Sequence, residues 1–294
     1  ESIILTHMLN EKGRIQSELT ITRLPNNLFY VLSSTASEIR DLDWFNHHLN
    51  KDEKIKIKNI TQDYGVLVIV GPKSRTTLSQ LTSENLNNNN FPWLKGKEIL
   101  INKIPVRALR INYMGELGWE LHHPISQMAS LYDAIYEIGK KENIINFGTY
   151  AVNSLRMEKA YRGWGAELTG EISLVEAGMD RFFNLNKKSN FIGSGVLRDK
   201  VQSGVDIKIV YLEVEVSDAD ARGNEPVYHK DKIVGVVTSG GYGFRVNKSL
   251  AFAYVNSDLA KEGTELFIEI QGQKRKVKIL KSPIYDPENK KLKS

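Results

Sequence analysis

Apolar and polar residues alternate through IILTHMLNEKGRIQSELTITRL, residues 3–24, with one interruption at Asn10-Glu-Lys-Gly13. A period of two broken by a glycine-bearing tetrapeptide predicts two strands joined by a tight turn. On the second strand Ile15, Leu19 and Ile21 share one face, and Gln16, Glu18 and Thr20 share the other. A further strand-like run, LFYVLSS, leads into Thr35-Ala-Ser-Glu38, which has the spacing of a helix capping box. The helix expected after it carries Ile39, Leu42, Phe45 and Leu49 as its apolar stripe, and Asp41 falls off that stripe, near the positive end of the helix dipole.

YGVLVIV (64–70) predicts another strand, followed at Gly71-Pro72 by a helix entry with proline at its first position. NLNNNNF (85–91) is a polar loop. IPVRALRINY and WELHHP read as strands around the glycine turn of NYMGELGWEL (112–121), and SQMASLYDAIYEIGKK (126–141) as an amphipathic helix with a serine cap. Hairpins interleaved with helices give an α+β body of antiparallel sheets. From about residue 205 the pattern changes to closely spaced strands: IKIVYLEVEV, EPVYHKDKIVGVVTS, SLAFAYV and ELFIEIQGQKRKVKIL. These predict an all-β module, a barrel or jelly roll. The expected division is therefore 1–204 and 205–294.

Composition narrows this picture only a little. The 294 residues are 41% hydrophobic and 26% charged, as in a soluble globular chain, and no run approaches the ~18 apolar residues of a membrane span. The chain opens on Glu1 without a basic-then-apolar leader, so it reads as a processed or excised piece. The absence of cysteine removes disulfides, thiolate metal sites and cysteine nucleophiles together. The charge of +5 is mild, and the basic run Gln273 to Lys281 reads as one solvated strand face; a nucleic-acid patch is the competing reading, and neither nucleic acid nor membrane is an expected partner.

Familiar catalytic signatures are missing. His47-His48 and His122-His123 are adjacent pairs whose side chains diverge, so no metal site is expected. GPKS (71–74) lacks Walker spacing, and SGGYG (239–243) lies within the β module and opens no helix. No Gly-x-Ser-x-Gly elbow is present. What remains is Glu18, Asp41, Glu116, Glu120, Arg156, Arg181 and Arg222, each of which spacing alone leaves open as a surface charge, an ion pair or a site residue. Glu116 sits between two turn glycines, where exposure is expected; Glu120 faces away from Trp119 and Leu121 and could line a cavity.

Several stretches, taken in order, resemble the folate-binding aminomethyltransferase family typified by the glycine cleavage T-protein. They are THMLNEKGRIQSELTITRL, YMGELGWEL, NSLRMEKAYRGWGAEL, EAGM and VGVVTSGGYG. GRIQSELT, FGTYAVNSLRMEKAYRGWG and KSLAFAYV are similar, more narrowly, to the C-terminal half of the dimethylglycine and sarcosine dehydrogenase branch. The resemblance implies a T-protein-like multidomain body over 1–204, N-terminally incomplete, and a C-terminal barrel over 205–294. It also implies a tetrahydrofolate-dependent one-carbon transferase unit that captures the methylene carbon of an N-methylglycine-type amine. Its partners would be folate, a methylated amine and a flavin-binding dehydrogenase portion, fused or separate. FAD would reside there and not on this segment. A mitochondrial matrix location follows if the source is eukaryotic, a cytoplasmic one otherwise.

By the same resemblance Glu18 is the catalytic residue, a carboxylate beside the reacting folate nitrogen, flanked by Ser17 and Leu19. Glu120 is expected to be buried and to hold the pterin through its two-donor amine fork, with Tyr113, Leu121 and His122 as the wall. Arg181 falls where relatives present a pocket tyrosine, and Arg222 is a candidate for the folate carboxylate tail. Arg156 is expected to be structural, paired with Glu158 or Glu176. Both carboxylates are expected to face one cavity. T-proteins carry aspartate at the position of Glu18 and arginine at that of Val152, departures that favour the dehydrogenase branch. The alternatives are a glycine cleavage aminomethyltransferase taking its carbon from a lipoyl carrier, a folate-binding RNA-maintenance protein, whose usual cysteine motif is lacking, and a non-catalytic scaffold half of an amine oxidase.

Overall fold

The computed structural model describes residues 1–294. The order of elements is β1 (Ser2–Leu9), β2 (Ile15–Arg23), β3 (Phe29–Leu32), α1 (Glu38–His47), β4 (Tyr64–Val70), α2 (Ser74–Leu78), β5 (Gly96–Ile101), β6 (Ile104–Leu109), β7 (Gly118–Pro124), α3 (Met128–Gly139), α4 (Thr149–Glu158), α5 (Ser194–Ser203), β8 (Ile207–Val214), β9 (Pro226–His229), β10 (Lys232–Gly243), β11 (Lys248–Asn256), β12 (Leu266–Ile270) and β13 (Gln273–Leu280). The chain forms two compact units that are not consecutive in sequence. One comprises Glu1–Ile4, Thr20–Phe147 and Glu288–Ser294; the other comprises Leu5–Leu19 and Gly148–Pro287.

The first unit is built on an antiparallel sheet ordered β4-β7-β6-β5. Strand alternation in β7 sends Trp119 and Leu121 into a core with Ile69, Phe91, Val106, Leu131 and Ile135. The turn before β7 explains the glycines of NYMGELGWEL. Asn112 Oδ1 accepts from the amides of Met114 and Gly115, both at 3.0 Å, and Asn112 Nδ2 donates to the Glu116 carbonyl at 2.7 Å. Gly115 has φ +73, and a Cβ on Gly118 would stand 2.5 Å from the Ile69 carbonyl oxygen, so neither position tolerates a side chain.

In the second unit β8–β13 close into a six-stranded barrel ordered β10-β11-β8-β13-β12-β9, a barrel and not a jelly roll. Its interior is filled by residues such as Leu212, Val237, Ala253 and Ile268. The basic strand β13 lies beside acidic neighbours: Lys274 pairs in register with Glu269, Lys278 with Glu213, and Arg275 bonds Asp218 at 2.7 Å. The turn between β1 and β2 is closed by Asn10, whose Oδ1 accepts from the amides of Lys12 and Arg14, with Gly13 at φ +67.

The motif NSLRMEKAYRGWGAEL meets VGVVTSGGYG in a buried polar cluster of this unit. Arg156 Nη1 donates to Glu167 at 2.8 Å and Nη2 to the Ser239 hydroxyl at 2.9 Å. Thr238 donates to Glu167 at 2.6 Å, and so does the Gly163 amide at 2.7 Å. Arg156 is thus structural, but its partner is Glu167, whereas Glu158 pairs with Arg245 and Glu176 with Lys200. Gly240 lies where a Cβ would approach the Ala221 carbonyl oxygen to 2.4 Å, so the SGGYG glycines serve close strand packing.

Four local expectations need correction. No side-chain cap forms at Thr35–Glu38; a 3₁₀ turn over Thr35–Ser37 runs directly into α1. On α1 Ile39 is 83% exposed, while Asp41 is the buried residue and bonds Arg40. A charged partner lets the carboxylate go inside, so the apolar stripe fails at Ile39, while its other members Leu42, Phe45 and Leu49 are half-buried. Helix α2 begins two residues after Pro72, and α3 begins at Met128 after a 3₁₀ turn over Ile125–Gln127, without a serine cap.

Replacing Arg156 by Ala leaves Glu167 sealed without its cation. The expected cost is about 3–5 kcal/mol, read as a lowered midpoint of urea unfolding; an unchanged midpoint refutes the assigned pairing.

Candidate functional site

In the first unit one face of the sheet presents two rows of side chains. Val68, Glu120 and Leu109 are cross-strand neighbours, and beside them lie Val66, His122 and Arg107. Leu109 is buried, whereas Val66 and Val68 are exposed, at 44% and 36%. Apolar side chains left open beside a carboxylate form a wall suited to a flat ligand with polar edges. Glu120 is not sealed as expected: its side chain is 24% exposed and accepts one hydrogen bond, from His122 Nε2 at 3.4 Å.

His122 is almost fully enclosed and makes its second contact, Nδ1 to the Tyr30 hydroxyl, at 3.1 Å. One neutral tautomer satisfies both contacts: Nε2–H donates to Glu120 and Nδ1 accepts from Tyr30. Tyr30 stands edge-on to the imidazole, with ring centres 5.4 Å apart, and carries the Arg107 guanidinium 4.3 Å above its ring. Burial raises the Tyr30 phenol to about 12, with Arg107 opposing the shift. The result is an ordered set, Arg107, Tyr30, His122 and Glu120, on one face of the unit.

Leu121 points the other way, into the core with Trp119, so only its main chain can contribute to this face. Tyr113 and Glu116 are both half-buried in the loop before β7; Glu116 is therefore less exposed than its turn position suggests.

In the second unit Glu18 accepts from His7, Nε2 to Oε2 at 3.1 Å, with 23% of the glutamate side chain exposed and none of the histidine. Ser17 and Leu19 flank it on the buried face of β2. Phe182 meets the His7 ring edge-on at 5.5 Å, and the exposed Arg181 places its guanidinium 4.7 Å over Phe182. Burial raises the Tyr161 phenol while Arg181 opposes it, which puts Arg181 in electrostatic reach of that hydroxyl as well. Arg222 is exposed between β8 and β9; its main-chain N–H donates to Glu225 at 2.8 Å.

Sequence reasoning singled out Glu18, Glu120 and His122 but passed over His7, Tyr30, Arg107, Val66, Val68 and Phe182. The hairpin pattern had already placed a strand beside that of Glu18, so a histidine in THMLN was a detectable neighbour. Tyr30 and Arg107 are brought to His122 by tertiary packing and left no signal in spacing. No three His, Asp or Glu side chains converge as metal ligands would, and no helix is long and apolar enough to cross a membrane.

The family profile of the GCVT N-terminal domain matches residues 1–187, and that of the glycine cleavage T-protein C-terminal barrel domain matches 208–286. The chain belongs to the glycine cleavage T-protein family. It is 41% identical over 281 residues to mitochondrial dimethylglycine dehydrogenase of Homo sapiens, covering 95% of this chain and 32% of that enzyme. It is 30% identical to mitochondrial sarcosine dehydrogenase of Mus musculus, covering 99% of this chain and 34% of the other. The chain thus spans about one third of the length of these relatives. The crystal structure of glycine cleavage system aminomethyltransferase T from Bartonella henselae superposes with a TM-score of 0.85 at 23% identity, over 97% of this chain and 76% of that one, and so shares the fold.

Stability at alkaline pH tests the Tyr30 arrangement. A phenol that ionises at about 10 when unfolded and about 12 when folded contributes stability that is complete below pH 10. That stability is lost as pH rises through 12. The loss is on the order of 2–3 kcal/mol, from ~1.36 kcal/mol per unit. Tyr30→Phe should flatten the fall in unfolding free energy between pH 10 and 12; an identical slope in the variant refutes it.

Proposed function

We propose that this chain is a tetrahydrofolate-dependent one-carbon transferase unit acting on the methylene carbon of an oxidised N-methylglycine-type amine. The observation that supports it most is the state of two carboxylates. Glu18 and Glu120 each accept a single hydrogen bond from an imidazole while keeping about a quarter of their side chains exposed. A carboxylate offers about four lone-pair sites, so each retains acceptor capacity for a ligand. The relatives' names point the same way, since dimethylglycine and sarcosine are N-methylated glycines.

The residues fit a reduced pterin. Glu120 accepts the paired N–H donors of its amine edge, a charge-assisted arrangement, and Val66 and Val68 offer apolar surface to its ring. Tyr113, His122 and the main chain of Leu121 complete the wall, and Arg107 with Tyr30 keeps His122 in place. Glu18, with Ser17 and Leu19 beside it, stabilises positive charge developing at the reacting nitrogen and accepts the proton released there. Arg222 is a cationic partner for a carboxylate tail, and Arg181, over Phe182, replaces the pocket tyrosine of relatives with a charged contact. Bound tetrahydrofolate supplies a secondary amine nucleophile that takes up a methylene carbon. Exclusion of water protects the donor iminium from hydrolysis to formaldehyde. Oxidation of the amine belongs to a flavin-binding portion, fused or separate, and the matrix of the mitochondrion is the proposed location in a eukaryote. The functional division is proposed as a folate-binding body over 1–204 and a barrel over 205–294. The competing reading, an aminomethyltransferase of glycine cleavage, differs in drawing its carbon from a lipoyl-bound aminomethyl group.

Calorimetry with tetrahydrofolate and a transfer assay test the assignment. The iminium donor is generated from sarcosine and formaldehyde, and methylenetetrahydrofolate is measured above the uncatalysed rate. Glu120→Gln should weaken folate binding by about tenfold or more, as expected for a lost bond to a charged group. Glu18→Gln should leave binding nearly intact and slow transfer by about a hundredfold. A wild-type transfer rate in Glu18→Gln, or no folate binding by the chain, sinks the proposal.

A further inference from the structure

We propose that His7 is the positioning residue for Glu18: its enclosed imidazole, protonated on Nε2, fixes the carboxylate by a single neutral hydrogen bond. The inference rests on the reading of Glu18 as the group at the reacting amine.

The two partners are unequally placed, His7 with no exposed side-chain surface and Glu18 with 23%. Nε2 of His7 lies 3.1 Å from Oε2 of Glu18, while its Nδ1 is buried without any hydrogen-bond partner. A buried N–H with no acceptor costs the full desolvation of that donor, whereas a bare ring lone pair is a weaker demand. The proton therefore belongs on Nε2, where it is donated to the carboxylate. The ring is held in place by Phe182, edge-on at an interplanar angle of 79°, and Phe182 is itself covered by Arg181. A donor that cannot swing selects one arrangement of a side chain with three rotatable bonds. Oε1 is left without a protein donor, available to a ligand.

The neutrality of the donor matters. The fully buried carboxylates of this unit, Glu158 and Glu167, are each paired with an arginine. A guanidinium would compensate the charge of Glu18 and compete with a cationic reaction centre. An imidazole orients the same carboxylate and leaves its charge in force.

Two amide replacements separate positioning from packing. In His7→Gln the side-chain N–H group lies where Nε2 was and still reaches Glu18; in His7→Asn it lies where Nδ1 was and does not. Both are polar and smaller than imidazole, so any folding loss is common to the pair and is measured by thermal unfolding. In the transfer assay His7→Asn should be slower by about tenfold or more, as for a misplaced catalytic group, and His7→Gln should recover most of the rate. His7→Asn combined with Glu18→Gln should be no slower than Glu18→Gln alone. In the ligand-free chain, ¹⁵N spectra of labelled histidine should show His7 protonated at Nε2 and bare at Nδ1. The proposal is overturned by the opposite tautomer, by equal rates in the two amide variants, or by additive losses in the double variant. If Glu18→Gln itself transfers at the wild-type rate, the reading of Glu18 fails, whatever His7 does.

Discussion

A carboxylate withdrawn from water must be given donors, and the kind of donor it receives decides what it can still do. Four glutamates of this chain show the range. Glu158 and Glu167 have no exposed side-chain surface and are met by Arg245 and Arg156, with main-chain amides and hydroxyls filling the remaining lone pairs. Both are sealed from any ligand, and breaking either pair leaves an uncompensated buried charge. Glu18 and Glu120 are only partly withdrawn, and each is met by one imidazole. The first kind of carboxylate holds a structure together; the second is oriented but still able to bind.

This division accounts for how the family motifs are distributed. Two of them, NSLRMEKAYRGWGAEL and VGVVTSGGYG, meet in the Arg156–Glu167–Ser239 cluster, where side-chain identity is fixed by packing and charge compensation. Part of the family signature is thus concerned with keeping the fold closed. The residues proposed for ligand chemistry occupy two short strand stretches, SEL on β2 and ELH on β7. Alternation along a strand does the positioning: it sends Leu121 to the core and turns Glu120 and His122 to the open face.

The strands and the barrel were legible in the sequence because period-two alternation and glycine turns are local properties; β4 falls on YGVLVIV without adjustment. Helix α1 was legible at Leu42, Phe45 and Leu49, which are half-buried, but not at its first turn, where a paired charge competes with an apolar side chain. Arg40 adjoins Asp41, and once the two bond, the carboxylate takes the inner position and Ile39 stays in water. Glu18 and Glu120 were legible through family resemblance. His122 was singled out with them, but the contacts of His7 and His122 were not legible, since they depend on what encloses each ring. Tyr30 is separated from His122 by 92 positions, and no local pattern links the two.

The length of the Glu18 side chain gives the imidazole a further purpose. The resemblance to T-proteins implies the shorter aspartate at this position in those relatives. A glutamate reaches further but brings another rotatable bond, and fixing such a side chain costs up to about 1.5–2 kcal/mol in rotamer entropy. A donor that is itself immobile prepays part of that cost before any ligand arrives. His7 is enclosed and edge-packed on Phe182, so its own ordering is met by burial in the folded unit. The longer carboxylate and its histidine are therefore best understood as one device, in which extra reach is made usable by a fixed hydrogen-bond donor. It follows that shortening Glu18 to Asp while keeping His7 should lose the contact and leave the imidazole with both nitrogens unsatisfied. The pair would then have to change together.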